Sequence, residues 1–203
     1  VLAYHKNFPL RRGIPREELK SRLKLQARVF NAIIKKLVAE EAIVEGMARA
    51  ATFVSVITTD GPGGQHGVTV SSMTSVSADG EAPSLLVCIH HKSPAADAIL
   101  KNGAFCANLL NASQQAHSDI FAGRNPSDLA RFERVDWQAG QGGQPVLAGA
   151  AANFECTLKS TLLWETHHVL IGQVGAVHLS DNPDALLYGQ RSYLRAVGMD
   201  ERA

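Results

Sequence analysis

Three short segments hold residue types that could act together. The first, Thr69-Val70-Ser71-Ser72-Met73-Thr74-Ser75-Val76-Ser77, interleaves hydroxyl and apolar side chains. In an extended chain neighbours alternate between faces, so one face can enter a core while the other hydrogen-bonds a polar ligand. An ordinary half-exposed strand has the same pattern. The second is His91-Lys92-Ser93-Pro94, read as a strand-to-helix junction with Ser93 as N-cap and Pro94 as first helical residue. Unpaired backbone N–H groups and the helix dipole attract anions at such an end, and Lys92 adds a full charge. A phosphate site and a capped surface helix are both consistent with it. The third, Glu165-Thr166-His167-His168-Val169-Leu170-Ile171-Gly172, places polar residues just before an apolar strand. A histidine at a strand mouth can orient an amide or stabilise charge, or simply serve as an edge residue.

The elements around these segments follow from periodicity. Pro15, with Glu17 and Glu18 in the first turn, suits a helix start, and apolar residues from Leu19 to Val38 recur at three- and four-residue intervals. The reading is an amphipathic helix over 15–38 with one buried stripe, then a second helical stretch over 39–50. From residue 52 the texture becomes β-branched. Strands are expected over 52–59, 67–77, 84–91, 104–110, 153–163 and 168–179, with helices over 94–100 and 112–122. Residues 124–144 read as loop, including Asn125-Pro126 and Gly140-Gln141-Gly142-Gly143-Gln144, and a short helix or turn is expected near Asp184 to Tyr188. Six strands with few interposed helices predict an antiparallel barrel and not a doubly wound parallel sheet.

Composition narrows the function. With 45% hydrophobic and 19% charged residues the chain reads as globular, and its 203 residues suit one full domain. No apolar run approaches the roughly 20 residues that span a bilayer, Val1 to Lys6 lack a secretory h-region, and three isolated cysteines look like reduced cytosolic thiols, so the expected location is cytoplasmic. Cys88, Cys106 and Cys156 are isolated in apolar runs, as buried reduced thiols are, which argues against disulfides. Residues 1–50 hold eleven Lys/Arg against five Glu, whereas 51–203 hold nine Lys/Arg against fourteen Asp/Glu. The basic excess is read as a solvated helix face; no recognition motif accompanies it, and no nucleic-acid partner is expected.

Other sites are excluded by spacing. The run from Gly140 has Pro145 where a third Rossmann glycine should fall, and no strand precedes it. Neither His90-His91 nor His167-His168 can place both rings on one strand face, and no extra ligands sit at zinc spacing, so no metal is expected. Asn111-Ala112-Ser113 fits the glycosylation pattern by chance.

Taken in order, these segments resemble the short-chain flavin reductases, the reductase components of two-component flavin monooxygenases. The likeness runs from about Met47 to Arg195. It rests on Gly67 to Ser77, Leu86-Val87-Cys88-Ile89-His90-His91-Lys92-Ser93, Phe105-Cys106-Ala107-Asn108-Leu109-Leu110, Phe154-Glu155-Cys156, His167 to Val174, and Leu187-Tyr188-Gly189-Gln190-Arg191-Ser192-Tyr193. It implies a mostly β, FMN-binding split β-barrel of antiparallel Greek-key type over residues 47–203, with residues 1–46 as a helical extension outside the usual core. A turn lengthened by Ala78 to Pro83 is a second departure.

The resemblance also implies the chemistry. FMN or FAD would be bound and reduced by NADH or NADPH, in a homodimer that supplies a partner oxygenase. Thr69, Val70, Ser71, Ser72 and Ser75 would lie along the flavin ring and ribityl chain. Lys92 and Ser93 would hold phosphate, with Cys88, Ile89 and His90 lining the approach. His167, five residues before Gly172, would sit beside the nicotinamide, and His168 would not. Two rivals share the barrel: a non-catalytic flavin- or haem-binding protein, and a pyridoxamine-phosphate-oxidase-like oxidase.

Overall fold

The computed structural model describes residues 16–125, 127 and 130–198, and the chain divides into two units between Arg49 and Ala50. Pro15 and Pro126 lie outside the described residues. The first unit holds α1 (Arg16–Leu23) and α2 (Ala27–Ala48). The helix expected over 15–38 is interrupted because Lys24 takes a φ of 50°, a conformation that stops a right-handed helix. The next helix restarts at Ala27 and absorbs the stretch expected from residue 39. Phe30 is buried on α2, but Ile33, Leu37 and Val38 are exposed, so the continuous buried stripe is not observed.

The second unit is mostly β. Seven strands form one sheet in the order β3 (His66–Val70), β2 (Ser55–Thr59), β6 (Ala104–Leu109), β9 (Ala152–Trp164), β10 (His167–Leu179), β5 (Ser84–His90) and β4 (Thr74–Ser77), every pair antiparallel. All five residues of β2 are buried, since it lies between β3 and β6 and contacts α3 (Pro94–Asn102), α4 (Gln115–Phe121) and β8 (Pro145–Leu147). Strand β5 alternates, with Leu85, Val87 and Ile89 buried between more exposed neighbours.

The strand expected over 67–77 is two strands on opposite edges of this sheet. The break falls at Ser71-Ser72-Met73, where the chain leaves edge β3 and arrives at edge β4. The ladder does not close between those edges, although β3 approaches β5. Ser72 bridges the gap: its hydroxyl donates to the Cys88 carbonyl at 2.9 Å and accepts the Cys88 N–H at 3.0 Å. The seam of this split barrel is thus stitched by a side chain imitating a strand.

Two small sheets escaped the sequence reading. Trp137–Ala139 (β7) pairs with β8 across the glycine-rich run expected as loop. β1 (Thr52–Phe53), at the start of the strand expected over 52–59, joins β11 (Leu186–Gly189) and β12 (Ser192–Arg195) in a three-stranded sheet, and β11 lies where a short helix or turn was expected. Gln190 and Arg191 both have positive φ, at 50° and 61°, which suits a tight hairpin turn usually filled by Asn or Gly.

Two apolar clusters fill the unit. One gathers Ile57, Val87, Ile89, Ile99, Phe105 and Leu170; the other centres on Val56, Leu110, Phe121 and Leu147. Gly172 serves the first, because a Cβ there would lie 2.5 Å from the Phe105 ring and 2.8 Å from Cys156 Cβ. A buried polar knot joins the layers. The Asn108 amide donates to Val56 O and Thr58 Oγ1, while its oxygen accepts from Leu147 N and Asn153 Nδ2. A buried amide satisfied this fully favours one arrangement, since any slip leaves a donor or acceptor dry. Asn111 is also buried, its side-chain oxygen accepting from Ser113 N–H and Oγ–H, so the glycosylation-like triplet is a turn. Among the described residues no helix is long and apolar enough to cross a membrane.

Candidate active site

The candidate site is built along one row of the sheet. Strand β5 ends at His90, directly opposite His167, the first residue of β10. Cross-strand partners share a face, and the two imidazoles meet edge to face with centroids 5.0 Å apart. His91 follows with its ring 4.9 Å from His90, and its backbone N–H donates to Thr166 O at 2.9 Å. That bond ties the β9–β10 turn to the β5 end and fixes where His167 stands. Thr166 Oγ1 and His167 Nδ1 lie 2.9 Å apart. Partial desolvation, then the neighbouring His91, His167 and Lys92, push the His90 imidazole below its usual pKa, which favours a neutral ring at pH 7.

Beyond His90 the chain turns into α3. Ser93 is extended at the N-cap, its hydroxyl makes no capping bond, and Pro94 occupies the first turn. Lys92 is exposed beside it, and its backbone N–H donates to His90 Nδ1 at 3.1 Å. A cation, a hydroxyl that makes no capping bond among the described residues and a positive helix end therefore converge two to three residues beyond His90. This chemistry suits a phosphate.

The other expected binding residues fall into three groups. Ser72 faces the outer side of β5 at Cys88, but its hydroxyl is committed to the seam. Thr69, Val70 and Ser71 line a cavity of about 150 Å³ with Ser118, Arg124, Tyr188 and Tyr193. There Thr69 donates to Ser118 O at 2.8 Å, Arg124 lies 5.7 Å from the Tyr188 ring centroid, and Tyr193 donates towards Ser118 Oγ and Asp119 Oδ1. Ser75 lies elsewhere, on an apolar groove of about 370 Å³ with Met73, Leu85, Phe154 and Val174. Ile89 is 1% exposed in the core, so only its backbone can reach a ligand. The lengthened turn ends with Pro83 O accepting Val174 N–H at 2.8 Å, extending the β5–β10 ladder.

His168 pairs with Ile89 on the inner face, the side away from His167, and its buried Nδ1 has no partner among the described residues. Arg124 and Ser118 were not singled out from sequence. An isolated arginine in a loop and a helical serine carry no spacing signal; only the fold brings them to Tyr193.

An antiparallel sheet with an open, hydroxyl-stitched seam, beside a cationic helix end and a histidine row, defines a split-barrel protein suited to phosphorylated ring ligands. Residues 47–196 match the family model described as flavin reductase like domain, and the chain belongs to that family. FMN reductase (NADH) RutF 2 of Methylorubrum extorquens strain PA1 is 44% identical over 156 residues, which cover 77% of this chain and 89% of the relative. Among solved structures, the Streptomyces globisporus C-1027 NADH:FAD oxidoreductase SgcE6 superposes with a TM-score of 0.70 at 25% identity, covering 77% of this chain and 92% of its own. The styrene monooxygenase flavin reductase SMOB of Pseudomonas putida S12 gives 0.67 at 29%, covering 76% and 97%. Residues 1–48 separately match a model described as elongation factor SelB, winged helix, a likeness of that basic segment alone.

Proposed function

We propose that the protein is an NADH-dependent flavin reductase whose site lies along the Ser72–Cys88 seam, the Lys92–Ser93 helix end and His167. The observation that carries the reading is the convergence of the phosphate-suited helix end with the histidine row, two segments some seventy residues apart in sequence. A flavin held there would supply the redox chemistry, as acceptor of the hydride that a nicotinamide gives up.

The chain's own part is to hold and orient. Lys92, the Ser93 hydroxyl and the first turn of α3 bind phosphate; the Ser72–Cys88 stitch keeps the seam rigid alongside; His167 orients the nicotinamide amide from the next strand. Thr69, Val70 and Ser71 present a polar wall with Arg124 and the two tyrosines. Ile89 contributes through its backbone, since its side chain is buried in the core, and Ser75 through the separate apolar groove that it lines. No protein nucleophile is required, because holding two rings at near-attack distance supplies much of the rate.

The reading extends to residues 47–203 as the reductase domain with 1–46 as an added segment, to a homodimer, and to delivery of reduced flavin to an oxygenase. The likeness to SMOB supports the last. The test is NADH or NADPH consumption at 340 nm with FMN or FAD, in all four pairings. Flavin-dependent NADH oxidation is expected, and a chain beginning at residue 47 should retain it. Absence of turnover in every pairing would refute the reading.

A further inference from the structure

We propose that Trp164 is a positioning residue that stacks on a ring of the nicotinamide nucleotide. The proposal rests on the functional reading above and assigns a second side chain to the nicotinamide side of that site.

Strand β9 ends at Trp164, and Trp164 pairs directly with His167, which pairs in turn with His90. Three aromatic side chains thus occupy one row and one face at the rim of the sheet. Trp164 is 70% exposed, although tryptophan carries one of the largest apolar surfaces of any residue. The next row on this face is Leu162, Val169 and Cys88, so Trp164 and the exposed Leu162 make an apolar shelf outboard of His167. Strand β6 flanks β9 only between Ala152 and Thr157, and Leu162 and Trp164 are both exposed among the described residues.

The choice of ligand follows from the order of strands. The groups suited to the flavin phosphate, Lys92, Ser93 and the first turn of α3, lie on the β5 side of His167. Trp164 lies on the β9 side. Directly opposed residues have Cα atoms about 4.5–5.5 Å apart, so the indole stands beside the His167 ring on the same face, placed to stack on a planar group that His167 orients. The ring on that side is the second ligand, not the first.

The chain has two tryptophans, Trp137 and Trp164, so Trp137→Phe leaves Trp164 as sole reporter. Titration of that protein with NAD⁺ should quench its emission saturably. In the full protein, Trp164→Ala should raise KM for NADH roughly tenfold, the scale of ring stacking lost to alanine, with kcat within about twofold and flavin Kd unchanged. Trp164→Phe should recover most of the loss. An unchanged KM in an active Trp164→Ala enzyme, a defect confined to flavin binding, or altered sedimentation with normal kinetics would overturn the role. No NADH oxidation by the unaltered protein would instead overturn the functional reading itself.

Discussion

At the residue scale, Lys92 and Ser72 show how differently two residues proposed for one site can act. Ser72 has its hydroxyl spent twice on Cys88, so it acts on the seam. Lys92 is exposed, with no ion pair among the described residues, beside an uncapped helix end. Its contribution should therefore be specific to phosphate. Lys92→Ala should weaken FMN by about 1–3 kcal/mol, the range for hydrogen bonds to charged groups, and leave riboflavin affinity unchanged. Fluorescence titration with both flavins checks this; equal losses for the two would move the phosphate elsewhere.

At the element scale, the β7–β8 hairpin is held by a buried carboxylate. Glu155 on β9 is 5% exposed, accepts Gly142 N–H at 3.0 Å, and lies 2.7 Å from His178 Nε2. Burial alone would push its pKa up, but the Gly142 and Gln141 N–H groups and His178 outweigh that and hold it below the usual carboxylate range. A lowered folded-state pKa means stability that is present above the unfolded-state value and lost as pH falls through the folded one. Melting temperature should thus fall steeply below about pH 4.5, the ordinary glutamate value, whereas Glu155→Gln should begin lower and show a flatter acid limb. Parallel curves for the two proteins would contradict this account of the hairpin.

Legibility varied among elements for physical reasons. Strands β5, β6, β9 and β10 were readable because β-branched and apolar residues alternate between turn signals. The split of β3 from β4 was not, since Ser71-Ser72-Met73 continues the alternation without a Gly or Pro. β11 and β12 were hidden because Gln190 and Arg191 fill a turn that usually declares itself with Asn or Gly. The helix break at Lys24 was hidden in the same way. Within the site, the Lys92–Ser93 junction and His167 were visible as local motifs. The commitment of Ser72 to Cys88, the core position of Ile89 and the approach of Arg124 to Tyr188 depend on partners far along the chain, which local pattern cannot supply.

At the scale of the whole molecule, the split barrel works as a frame that brings the ends of β5 and β10 into one row. Register enforces this: a slip of one residue would send His167 to the inner face and His168 outward. The two adjacent histidines therefore make an internal comparison, alike in chemistry and opposite in placement. The most direct measurement is stopped-flow reduction of bound flavin against NADH concentration for the unaltered protein, His167→Ala and His168→Ala. His167→Ala should slow hydride transfer or raise the NADH requirement by about tenfold to a hundredfold, on the order of 1–3 kcal/mol, with flavin affinity nearly unchanged, and His168→Ala should impair hydride transfer less. Equal defects in the two variants, or a His167→Ala defect confined to flavin binding, would contradict the proposed site.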